Sequence, residues 1–145
     1  VERPVSSKPF YKIVEHTADI GVEVVSPDRN GVFTAAALAM FDIMFGLDTI
    51  DQKDRRRVSV SGDGPEELLV AWLNELLYVY AVEKLVFSGI AEADLRDTSF
   101  SALALGEALD PGRHRVEVEI KAATYHEVML RQKGGRWTAR VIFDI

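Results

Sequence analysis

Three short stretches of this sequence combine side chains that can bind or move charge. The first, His16-Thr17-Ala18-Asp19, is a polar break between two apolar runs. Loops held between rigid strands often carry binding residues, and the same residue types also close turns by bonding to backbone. The second is the chain end, Val141-Ile142-Phe143-Asp144-Ile145. With Ile145 as the terminal residue, its α-carboxylate lies one residue from Asp144. The residues before it are apolar to the last, so the expectation is a docked end. Two anions on a docked end need a counter-charge. Oxygen-only ligands suit a hard cation such as Ca²⁺ or Mg²⁺. Zinc is disfavoured, because His16, His114 and His126 lack a zinc-site spacing and thiols are absent.

The third stretch is Lys121-Ala122-Ala123-Thr124-Tyr125-His126. Period-two alternation puts Lys121, Ala123 and Tyr125 on one strand face and Ala122, Thr124 and His126 on the other. A Tyr–His pair can serve as general acid and base. The same residues can equally be core side chains with satisfied polar tips. Lys121 near acidic groups can be an ordinary ion pair.

Composition narrows the field. The chain has 145 residues, 48% hydrophobic and 28% charged, with a net charge of −6. That is ordinary globular composition for one domain, and it excludes disordered and low-complexity classes. With no Cys, disulfides, iron–sulfur clusters and thiol nucleophiles are excluded. The acidic balance speaks against a module that binds nucleic-acid backbone by charge alone. The one dense basic run, Lys53-Asp54-Arg55-Arg56-Arg57, reads as a solvated face. No apolar run reaches the roughly 18 residues that span a bilayer. Val1–Pro9 carries charges of both signs and does not read as a signal peptide. These signs lead to an expected cytoplasmic location. P-loop, nucleophile-elbow, dinucleotide and zinc-protease motifs are missing.

The elements that must position the three stretches follow from periodicity. Residues 10–15 and 20–25 read as strands. Ser26-Pro27-Asp28 starts a helix whose apolar face is Phe33, Ala37, Met40, Phe41 and Met44, ended by Gly46. Residues 57–61 alternate as a short strand. Pro65 opens a second helix running to about Val82, apolar nearly all round and hence central. Residues 85–88, 91–96 and 100–105 are further strand candidates. Val116, Val118 and Ile120 alternate with charged residues, which predicts a half-buried strand running on toward His126. Val128–Gln132 continues it or forms a separate strand. Lys133-Gly134-Gly135 is a hairpin turn before the last strand, with Trp137, Ala139, Val141 and Phe143 on one face. The expected architecture is α+β, two core helices packed on a mostly antiparallel sheet. Residues 10–145 form the single domain, and residues 1–9 are a flexible tail.

Several of these pieces resemble the archease family. They are Tyr11-Lys12-Ile13-Val14-Glu15-His16-Thr17-Ala18-Asp19-Ile20-Gly21, Ala37-Leu38-Ala39-Met40-Phe41-Asp42 and Leu68-Leu69-Val70-Ala71-Trp72-Leu73-Asn74-Glu75-Leu76-Leu77-Tyr78. Lys121 to His126 and Trp137 to Ile145 complete the pattern, in the same order over residues 10–145. The resemblance implies a protein cofactor, itself no enzyme, of the RtcB-type RNA ligase of tRNA splicing and RNA repair. It implies that the protein promotes guanylylation of the ligase and multiple turnover. It also implies a divalent metal site, usually calcium, at Asp19, Asp144 and Ile145, with Lys121 a further position needed for ligase activation. Two rival readings of the same residues are a metal-dependent phosphohydrolase or nuclease and a chaperone-like RNA- or protein-binding module.

Overall fold

The computed structural model describes residues 6–8, 10–15 and 19–145. Within them, the chain runs β1 (Ser6–Lys8), β2 (Tyr11–Glu15), β3 (Asp19–Ser26), α1 (Arg29–Phe45), β4 (Asp54–Ser61), α2 (Pro65–Glu83), β5 (Leu85–Leu95), β6 (Ser99–Ala108), β7 (Ala122–Lys133) and β8 (Arg136–Asp144). All pairings are antiparallel. They make two sheets, a five-stranded one in the order β1-β2-β3-β8-β7 and a three-stranded one in the order β4-β6-β5. The expected α+β domain with two core helices is what forms.

The helices are apolar over most of their circumference because each packs against strands of both sheets. α1 touches β3 and β8 of one sheet and β5 of the other; α2 touches β7 and β4. Phe33 of α1 stacks on Phe100 of β6 with ring centroids 4.4 Å apart, and Trp72 of α2 meets the same ring edge-on at 4.8 Å. The Trp72 indole N–H donates to the Phe33 carbonyl at 3.0 Å, so this buried tryptophan leaves no polar atom stranded. α1 starts at the Asp28 cap, whose carboxylate accepts from the Gly31 N–H at 2.7 Å. It ends at Gly46, where φ of 82° is open to glycine at no steric cost.

Asp42 ties α1 to the sheet. It accepts the Tyr11 hydroxyl at 2.6 Å and the Leu47 N–H at 2.9 Å. Burial and the neighbouring Asp42 carboxylate hold the Tyr11 phenol well above its ordinary range, so it stays a donor.

The boundaries differ from the sequence expectation in four places. β1 lies inside the stretch expected to be a flexible tail, where Ser6↔Ile13 to Lys8↔Tyr11 extend the sheet. The candidates 85–88 and 91–96 are one strand, β5, whose register with β6 shifts between Phe87 and Gly89 and between Ala91 and Asp94. β4 begins at Asp54, because Arg56 and Arg57 are tied to Glu83 and Glu92 and pair as ordinary strand residues.

The fourth difference is the largest. The alternating run from Val116 is not a strand; residues 109–121 cross the surface irregularly and β7 starts at Ala122. The reason is where the polar groups of this segment go. His114 is buried at 2% exposure, and its Nδ1 accepts the Asp110 N–H at 2.8 Å. Its Nε2 therefore carries the proton and donates to Glu107 at 2.9 Å. The Glu117 N–H is taken by the Met44 carbonyl at the end of α1. Of the alternating set only Ile120 is buried, and Val116 is exposed.

Candidate functional site

Two of the three chemically promising stretches meet at one end of the five-stranded sheet, together with the one described residue of the third. Asp19 is the first residue of β3, Asp144 the last of β8, and Ala122 the first of β7. Asp19 lies directly opposite Asp144, and Asp144 directly opposite Ala122. Lys121 is fastened there by its backbone, whose N–H donates to the Asp144 carbonyl at 2.8 Å. Ile145 follows Asp144 and is 42% exposed. His16, Thr17 and Ala18 lie outside the described residues.

Direct opposition fixes the face. Ile20, Phe143 and Ala123 point into the core and are buried, so Asp19, Asp144 and Ala122 lie on the sheet face away from the helices. The end of β8 is docked as the sequence suggests, since Val141, Ile142 and Phe143 are buried and paired on both sides. α2 secures the outer edge next to Lys121. The Asn74 amide donates to the Ala123 carbonyl at 3.0 Å and accepts its N–H at 2.8 Å, replacing the neighbour that edge strand lacks. Sequence reading gave Asn74 no role of its own; its being the one amide in α2 is the signal that could have found it.

The electrostatics of this end are unbalanced. Side chains directly opposite on neighbouring strands sit about 4.5–5.5 Å apart at Cβ, and like charges there repel. Neither aspartate has a salt bridge to a described residue. The Asp19 Oδ1 is buried and has no hydrogen-bond partner. Lys121 makes no ion pair with a described residue either, so the ordinary ion-pair reading of that lysine is not realised among them. Among the described residues no cluster of three or more His, Asp or Glu side chains is arranged to hold a metal ion. The donors present are two aspartates and, where Ile145 ends the chain, its carboxylate. An orphaned carboxylate oxygen beside a second carboxylate is the environment that a hard, oxygen-preferring cation satisfies, so the residues fit such an ion with water completing its coordination.

Tyr125 and His126 correct the core reading of that pair. Neither is in the core: Tyr125 is 59% exposed, and the His126 side chain is 72% exposed and 3.1 Å from Glu127. Alternation fails because β7 leaves register with β8 between Thr124 and Met129, with Glu127 in the left-handed region at φ 54°.

The basic run at 53–57 is largely neutralised. Arg56 forks onto Glu83 at 3.0 and 2.6 Å, Arg57 meets Glu92 at 2.8 Å, and Lys53 approaches Glu107 at 3.7 Å. Sequence reading missed the Glu107 cluster altogether; Glu107, Arg113 and His114 are a carboxylate, a guanidinium and an imidazole in nearby positions, and only burial marks them out.

The fold and site define a small domain of two helices between two antiparallel sheets, with an acidic sheet end. Comparisons with known proteins give it a family. Residues 11–145 match the model of the archease protein family. A protein archease of Methanosarcina mazei is 38% identical over 139 residues, covering 93% of this chain and 95% of that one. The solution structure of Methanobacterium thermoautotrophicum protein 1598 superposes with a TM-score of 0.78 at 30% identity, covering 93% of this chain and 98% of that one. A Thermotoga maritima crystal structure described as an archease and possible chaperone shares the fold, with a TM-score of 0.62, 18% identity and coverage of 97% and 98%. The chain belongs to the archease family. No described helix is long and apolar enough to cross a membrane.

Proposed function

We propose that this protein is a non-catalytic cofactor of an RtcB-type RNA ligase, acting in the cytoplasm in tRNA splicing and RNA repair by promoting ligase guanylylation and multiple turnover. The observation that carries this reading is the opposed Asp19–Asp144 pair with the buried orphan Oδ1 of Asp19, at the sheet end where the Lys121 N–H bonds to the Asp144 carbonyl. Asp19, Asp144 and Ile145, the residues the family resemblance implies, would hold a divalent cation that prefers oxygen donors, with Ca²⁺ the ion the resemblance implies. Bound there, the ion would supply a positive, oxygen-binding centre at the exposed sheet end.

The chain's own residues supply the rest. Lys121 adds an exposed side chain at the same sheet end, with an ammonium suited to a phosphate or an acidic partner surface. The backbone bond from Lys121 to Asp144 and the Asn74 clamp on Ala123 fix where that ammonium starts. Asp144 and Ile145 are exposed at this end, where a ligase surface would meet them.

The chaperone-like reading needs a contiguous apolar surface. Among the described residues the large exposed apolar side chains, Val25, Tyr78, Val82, Val116, Tyr125 and Ile145, belong to β3, α2, the 109–121 segment, β7 and the chain end. The hydrolase reading needs more carboxylates than this end supplies for two metals.

The test is multiple-turnover RNA ligation by the cognate ligase with GTP and divalent metal, adding wild type, Asp144→Ala or Lys121→Glu. Stimulation by wild type, lost in both folded variants, is expected. No stimulation by folded wild type overturns the cofactor reading, and phosphate release or strand cleavage by the protein alone would replace it with the hydrolase.

A further inference from the structure

We infer that Thr124 is a positioning residue of the acidic sheet end, its hydroxyl holding a water of the divalent ion that Asp19 and Asp144 would bind. This rests on the cation reading above and extends it to a residue outside the ligand set. The starting point is a coincidence. Among the described residues, two buried side-chain polar atoms lack a hydrogen-bond partner, Asp19 Oδ1 and Thr124 Oγ1. Buried polar groups in folded proteins are nearly always satisfied, so each orphan calls for an explanation.

Both orphans lie on the same three strands and the same face. Asp19 opposes Asp144, and Thr124 opposes Ile142, the next residue of β8 on that face. Thr124 is thus the diagonal neighbour of Asp144, a relation that spans roughly 7–8 Å between Cα atoms. That is too far for a short hydroxyl side chain to join the aspartates around one ion directly. It is a span that side chain, water and ion together can cover.

The surroundings make room for that water. Ile142 has Gly21, which carries no side chain, as its partner on the β3 side. On the β7 side Thr124 is the last residue in register before the bulge, beyond which the strands part until Met129. Ile142 itself is only 3% exposed, so the hydroxyl sits in a sheltered place where bulk solvent does not satisfy it. A hard cation such as Ca²⁺ takes 6–8 oxygens, more than two aspartates and a chain end provide, so ordered waters complete its shell. Each such water must place its protons on acceptors, and Thr124 Oγ1 is an unused one.

The measurement is Ca²⁺ titration of the full chain by calorimetry, with thermal unfolding in chelator-treated buffer alongside. Thr124→Val should bind Ca²⁺ about tenfold more weakly, the lower range for losing a group that acts through a ligand. Thr124→Ser, which keeps the hydroxyl, should bind like wild type. Metal-free melting temperatures of the three should agree, which a merely structural role for the hydroxyl would not produce. Should the valine variant fold poorly, Thr124→Ala carries the same comparison. Wild-type affinity in a folded T124V or T124A overturns the role of Thr124 and leaves the cation site standing. No Ca²⁺ binding by folded wild type overturns the cation reading and this inference with it.

Discussion

Two carboxylate centres in this protein have opposite fates. Glu107, on β6, is 3% exposed and fully partnered: Arg113 forks onto it with two bonds of 2.8 Å, the Asp51 N–H donates at 2.7 Å, and His114 donates at 2.9 Å. Asp19 sits opposite another aspartate with one oxygen buried and unbonded. The first centre has its counter-charge in the chain, so it needs nothing further and holds the 109–121 segment in place. The second lacks one among the described residues, and the proposed cation would supply it. The comparison teaches that a carboxylate's partners, more than its burial, tell whether the chain has already satisfied it.

Glu107→Ala is the harshest way to test the first half of this contrast. It strands the buried His114 and the Arg113 fork, and should cost about 3 kcal/mol, read as a lower urea midpoint. A neutral outcome would remove the structural role given to the cluster. The protein that remains folded should still stimulate ligation. Asn74→Leu comes next: losing both bonds to Ala123 should cost about 1–2 kcal/mol and reduce stimulation, because the start of β7 and Lys121 lose their anchor. Unchanged stimulation with reduced stability would separate the clamp from the site.

Asp144→Asn should behave in the opposite sense. Removing one of two facing like charges should leave metal-free stability unchanged or raise it by up to about 1 kcal/mol. Stimulation of ligation should be lost. A clear loss of metal-free stability would mean that this carboxylate has a structural partner after all.

The pH response sharpens the contrast at the smallest scale. The Arg113 hydrogen bonds hold Glu107 well below the usual carboxylate range, against the opposing pull of burial. Its folded value lies below its unfolded value of about 4.3. The stabilisation is therefore complete above that value and is lost as pH falls below it, through the folded value. Urea midpoints of wild type should fall below about pH 4, and those of Glu107→Gln should fall less steeply. Parallel curves for the two would discard the assignment.

Much of this was legible in the sequence, and particular residues show why. The caps and breaks, Asp28, Gly46 and Pro65, act through their own backbone and their neighbours, so they mark helix ends without any tertiary context. The mostly apolar α2 declared its central place, because a helix buried against two sheets keeps only a narrow side for polar residues. The docked end of β8 was likewise readable from Val141, Ile142 and Phe143. The run from Val116 misled, because alternation records a pattern of residue types and says nothing of competing partners. There the pull of Glu107 on His114 and of Met44 on Glu117 took the backbone elsewhere.

By itself the sequence determined the helices, their ends, most strands and the residues with unusual chemistry, since these depend on contacts within a few positions. Only the tertiary structure decided that Asp19 faces Asp144 across 125 residues of chain, that Thr124 stands orphaned beside them, and that Tyr125 and His126 stay outside. Those facts come from strand register and a β-bulge, which are settled by the packing of the whole sheet against its helices.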